Sequence, residues 1–155
     1  MSRAFVKEPD GGEPIEPLPD RIISPHPNFV TPEGLALIES TLAALHERHT
    51  AAAKDGDRAA QGALGRDLRY WNARRASAQV VKPPAAPDVV AFGTTVTIAR
   101  DDGRRQSWRI VGEDEADPAG GTLSYVSPVA RALTGKRIGD VVRAGNSDAE
   151  IVAIE

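Results

Sequence analysis

The chain has no cysteine. That removes disulfides, thiolate metal sites and thiol nucleophiles together. Aromatic residues make up only 5% of its 155 residues, against 41% hydrophobic overall. A single large core is therefore not expected, and small packed units are. No apolar run approaches the ~20 residues of a membrane span. The first residues, Met1-Ser2-Arg3-Ala4-Phe5-Val6-Lys7-Glu8, lack the apolar stretch of a secretory leader, so the expected address is the cytoplasm. There is no excess of positive charge. The formal net charge is −3, which argues against a protein held mainly by nucleic-acid phosphate. Also missing are a phosphate-cradling glycine loop, a dinucleotide fingerprint and a nucleophile–base–orienter set. No membrane partner and no small-molecule substrate is expected.

Proline is plentiful, and it punctuates the chain. Pro9, Pro14, Pro17, Pro19, Pro25 and Pro27, with Gly11 and Gly12, block regular structure over residues 1–30. That segment reads as an extended tail lying against something. Thr31-Pro32-Glu33 is a helix start: an N-cap type, a first-turn proline and an acid at the positive end. Leu35, Ile38, Leu42 and Leu45 follow in steps of 3 and 4, continued by His49 and Ala52. This is a coiled-coil seam. Asp55-Gly56-Asp57 is a turn signal. A second seam, Gln61, Leu64, Leu68, Trp71, Arg75 and Ala78, runs from about Arg58 to Ala78. Residues 31–80 therefore read as an antiparallel helical hairpin. Gly62 and Gly65 cost the second helix roughly 1 kcal/mol each relative to alanine, so its distal half is expected to be soft.

Pro83-Pro84-Ala85-Ala86-Pro87 makes residues 81–88 a stiff linker. Beyond it, residues 89–155 read as β-rich. Strand patterns occur at Val89–Phe92, Thr94–Ile98 and Gln106–Val111, the last placing Trp108 and Ile110 on one face. Asp101-Asp102-Gly103 signals a hairpin turn. Short strands at 123–126, 140–144 and 150–154 and one short helix complete a small antiparallel sheet domain, so the chain is α+β. The short helix has its own signature: Ser127 as cap, Pro128 in the first turn, Arg131 in the last, then Thr134-Gly135-Lys136-Arg137-Ile138-Gly139-Asp140.

The Ser-Pro helix, Trp108-Arg109-Ile110-Val111-Gly112-Glu113-Asp114-Glu115, the opening residues and the tip Gly56-Asp57-Arg58 together resemble the Gre family of bacterial transcription elongation factors, GreA and GreB. The likeness runs from about Phe29 to Glu155 and extends to the short-armed relatives known as regulators of nucleoside diphosphate kinase. It implies an FKBP-like sheet domain and an arm that enters the secondary channel of RNA polymerase, near the RNA and DNA of the elongation complex. It also implies that Ser127, Pro128 and Arg131 dock on the channel rim. Cleavage-stimulating members lend tip carboxylates to a magnesium ion shared with the polymerase active site, so Asp57, with Asp55, is the candidate catalytic pair. No cofactor is expected on the chain alone, and the protein is expected to assist the polymerase rather than act as an enzyme.

Three departures from the family pattern matter. The glutamate expected three residues after the tip aspartate is Ala60, and a hard cation is held less well by one carboxylate than by two. Each helix lacks about two turns, or ~10 Å of reach. The aspartate often found before the Ser-Pro pair is Val126. Three functions stay open: a polymerase-binding regulator with weak or no cleavage stimulation, an active cleavage factor using Asp57 and Asp55, and an interaction module for another protein. Several residues also have plainer readings. Asp57 caps a helix, and Arg58, Arg66, Arg69, Arg74 and Arg75 form a solvated face. Glu113, Asp114, Glu115 and Asp117 form a solvated turn. His46 and His49, one turn apart, find no third ligand to make a metal site.

Overall fold

In a computed structural model, residues 16–155 are described. The tail expectation for residues 1–15 lies outside them. Residues 16–28 run extended along the second helix of a hairpin. They lead into β1 (Phe29–Val30), which pairs in parallel with β2 (Gln79–Val80).

Helix α1 spans Pro32–Asp55 and α2 spans Arg58–Ser77. Thr31 caps α1 by accepting from the Gly34 amide at 3.0 Å. Gly56 ends it in the left-handed conformation at φ +69°, which only glycine adopts without strain. Ile38, Leu42, Leu45 and Ala52 face Leu64 and Leu68 in one apolar cluster, with Leu35 and Trp71 at its edge. The stepped seam read from sequence is therefore the packed face, with one exchange: Arg75 is exposed and Arg74 is buried. At its base α2 meets the sheet domain as well as α1, and it is that second neighbour that buries Arg74.

The sheet domain contains β3 (Thr95–Arg100), β4 (Arg105–Val111), β5 (Thr122–Ser124), β6 (Val141–Ala144) and β7 (Ser147–Ile154). They form one sheet in the order β5-β4-β3-β7-β6. Three pairings are antiparallel, as expected, but β5 joins β4 in parallel, so the sheet is mixed. The chain reaches β5 through two 3-10 turns, Glu113–Glu115 and Pro118–Gly120, rather than by a tight hairpin. Val89–Phe92 is not a strand. Its hydrogen bonds go to a loop instead, with Val90 N donating to Lys136 O at 2.9 Å and Gly135 N to Val90 O at 2.8 Å.

Helix α3 (Pro128–Leu133) lies on the sheet, burying Ala130 and Leu133 against Val96, Ile98, Ile110, Val142 and Ile151. Among the described residues there are thus two apolar clusters, one in the hairpin and one in the sheet domain, as the low aromatic content suggested.

Candidate functional site

The hairpin tip carries both candidate catalytic residues. Asp55 is the last residue of α1 and Asp57 is the cap of α2; both are exposed. Asp57 Oδ1 accepts from the Ala60 amide at 3.0 Å, so one of its oxygens already satisfies a helix-end donor. Ala60 stands where a second carboxylate would be needed. Among the described residues no three His, Cys, Asp or Glu side chains gather as ion ligands, at the tip or around His46 and His49. The tip by itself does not fit a magnesium site.

The other candidates sit together at the far end of the molecule. Ser127 caps α3, its hydroxyl accepting from Ala130 N at 3.3 Å, and Pro128 occupies the first turn, exposed. Arg131 is exposed and lines a cleft of about 450 Å³ beside the helix. The cleft is apolar at its base. Phe92 meets Phe29 and Tyr125 edge-on, a favoured geometry for aromatic rings, and Phe29 and Tyr125 are tilted against each other, with all centroids 5.4–6.1 Å apart. Val126 and Ile110 complete the floor. Val126, which replaces a polar residue of the family pattern, is thus part of an apolar surface. One wall comes from the N-terminal segment, His26 and Pro27, and Tyr125 OH donates to the Pro27 carbonyl. Burial, and then the negative charge of Glu113, push the Tyr125 phenol above its ordinary pKa.

Between tip and cleft lies a joint that the sequence reading missed. Of the acidic turn only Asp117 is exposed; Glu113, Asp114 and Glu115 form the socket into which the hairpin base fits. Arg74, its side chain 2% exposed, donates from Nε to Asp114 Oδ2 at 2.5 Å and pairs with Glu113 at 3.7 Å. Its Nη2 donates to Asn28 Oδ1 at 2.7 Å, and Asn28 Nδ2 donates back to the Arg74 carbonyl at 2.7 Å. Tyr70 OH donates to the other oxygen of Asp114. Burial, then that bond and the charge of Asp114, raise the Tyr70 pKa to about 12.

Glu115 performs a second lock. Its carboxylate accepts from the Thr31 hydroxyl, from Thr31 N at 3.0 Å and from Gly112 N at 3.1 Å. An anion is thereby held at the positive end of α1. A Cβ at Gly34 would lie 2.1 Å from the Glu115 carboxyl carbon, so glycine there leaves room for the carboxylate. Arg109 adds a longer contact to Glu33 at 3.4 Å.

The signal for this joint was present but ambiguous. An arginine in a helix and an Asp-Glu run in a turn are usually solvated. Only their juxtaposition, forty residues apart in sequence, distinguishes this case.

The chain is similar to known proteins. The family description "Transcription elongation factor, GreA/GreB, C-term" matches residues 84–155. Transcription elongation factor GreB of Neisseria meningitidis serogroup B is 35% identical over 152 residues, spanning 83% of this chain and 93% of that protein. Transcription elongation factor GreA of Pseudomonas aeruginosa is 42% identical over 100 residues, spanning 61% of this chain and 63% of its own length. The crystal structure of GreA factor homolog 1 of Thermus thermophilus overlays with 22% identity at a TM-score of 0.42, covering 84% of this chain and 99% of that one.

Proposed function

The chain belongs to the GreA/GreB family of transcription elongation factors, and from that premise we propose that it binds bacterial RNA polymerase and regulates elongation by occupancy. The sheet domain, through α3 and the adjoining cleft, is the anchor. The hairpin is the arm that enters or covers the secondary channel. It competes there with cleavage-stimulating relatives, or alters pausing and substrate entry, while adding weak or no cleavage stimulation of its own.

The observation that carries this reading is the tip. Asp57 is engaged as a helix cap, and Ala60 supplies an amide to it where the family pattern has a carboxylate. Two-metal hydrolysis needs ligands that hold the second ion and orient its water. Any magnesium involved belongs to the polymerase. The arm is also short. Twenty-four and twenty residues in its helices give roughly 36 and 30 Å, and catalytic positioning is sensitive to errors of about 1 Å.

A second reading is supported by one feature: Asp55 and Asp57 both stand exposed at the tip, and the cap uses only one oxygen of Asp57. On that reading the protein stimulates cleavage through Asp57, aided by Asp55.

The test is binding of the full-length protein to purified core polymerase. Saturable binding weakened by Arg131→Glu supports the anchor. A failure to bind redirects the search to the third possibility, an interaction module for another protein.

A further inference from the structure

The cleft beside α3 is built from two parts of the chain that lie about a hundred residues apart in sequence. One wall and most of its floor come from the sheet domain. The other wall, His26 and Pro27, and Phe29 in the floor come from the N-terminal segment that precedes the hairpin. That segment is held at both ends. Upstream, Asp20 pairs with Arg69 at 2.7 Å and Arg21 with Asp67 at 3.4 Å, and the Arg21 guanidinium lies 3.8 Å from the Tyr70 ring centre. Downstream, Asn28 is locked to Arg74 and β1 is paired with β2. Between these anchors Pro25 and Pro27 fix φ, so His26 and Pro27 are presented with little freedom left to lose on binding. Tyr125 ties the segment to the sheet domain through the Pro27 carbonyl.

The geometry points to a composite docking site: His26, Pro27 and Phe29 are binding residues for the polymerase, together with Tyr125, Val126 and Arg131. This inference rests on the polymerase reading above and adds the N-terminal segment to it. The occupant is a turn or helix end of the polymerase that presents one bulky apolar side chain with a carboxylate beside it. The apolar side chain suits the aromatic floor. The carboxylate suits Arg131 at the rim, since no residue lining the cleft is acidic. The segment would then be part of the docking surface as well as packing of the hairpin. The sheet domain taken alone would present only part of the site.

The experiment uses the full chain and purified core polymerase, comparing the unaltered protein with His26→Glu, Tyr125→Phe and Arg131→Glu. His26 is exposed, so its replacement leaves the fold intact; an acid there meets the partner's carboxylate and should weaken Kd about tenfold. Tyr125→Phe keeps the aromatic floor but releases Pro27, and should weaken binding about threefold through lost preorganisation. Arg131→Glu should lose at least as much as His26→Glu. A photo-crosslinking side chain at position 26 should capture a polymerase subunit. If the unaltered chain does not bind, both the polymerase reading and the composite cleft fall. If it binds, and His26→Glu and Tyr125→Phe stay within twofold while Arg131→Glu does not, only the composite cleft is overturned.

Discussion

Arg74 and Asp114 decide how the arm is carried. Both side chains are nearly out of solvent, at 2% and 9% exposure. Removing one partner strands the other as a buried charge, which typically costs 3–5 kcal/mol. Arg74→Met should therefore lower stability by about 3 kcal/mol or more in urea unfolding. The double change with Asp114→Leu should recover part of that, because replacing both partners with apolar groups can be nearly neutral. Additive losses would mean that the two residues do not act as a pair.

The tyrosines give an independent reading of the same joint. The chain has two, Tyr70 and Tyr125, and both phenols are raised. For an acid whose folded pKa lies above its unfolded value, the stability contribution is full below the unfolded pKa, near 10. It is lost as pH rises through the folded value, about 12 for Tyr70. Ultraviolet titration should show both phenols ionising above 10 in the folded protein, and near 10 in urea. Tyr70→Phe should remove the component near 12. In a Tyr125→Phe protein, a remaining phenol that ionises at about 10 in the native state would contradict the burial of Tyr70 against Asp114.

At the scale of elements, the hairpin was largely legible in the sequence and the joint was not. Thr31-Pro32 and Asp55-Gly56-Asp57 state helix start and turn by local chemistry, and the apolar steps state which face packs. Such signals are read within one turn of helix. Arg74 was misplaced because a seam defined only against α1 ignores a second neighbour. The parallel pairing of β5 was hidden for a related reason: strand alternation says which face is buried, not which edge is joined. Ser127, Pro128 and Arg131 were singled out by resemblance, and the structure adds a cleft that Arg131 lines. His26 and Phe29 had no local signal, since their place in that cleft depends on where the segment is tied.

The same scale carries a stability prediction. A Cβ at Gly62 would have nothing within 4 Å, and one at Gly65 would meet only Arg69 at 3.7 Å. Each is interior to α2, so Gly62→Ala and Gly65→Ala should each stabilise the hairpin by about 0.5–1 kcal/mol. Hydrogen exchange should slow around Leu64, in the distal half. Unchanged protection there would show that glycine is not what softens the arm.

For the whole molecule, the joint is the common theme. The Arg74–Asp114 pair, the Glu115 cap on Thr31 and the Tyr125 bond to Pro27 connect the hairpin and the segment before it to the sheet domain, and the parallel β1–β2 pair ties the two ends of the hairpin together. On the proposed reading, such a joint would direct the tip to one place, which regulation by occupancy would need more than catalytic groups. The most direct measurement is RNA cleavage by a backtracked polymerase complex, with a cleavage-stimulating relative present and this protein titrated in. The account predicts a dose-dependent loss of the relative's cleavage, with no more than weak stimulation from this protein alone. Robust cleavage by this protein alone that disappears in Asp57→Ala would contradict it.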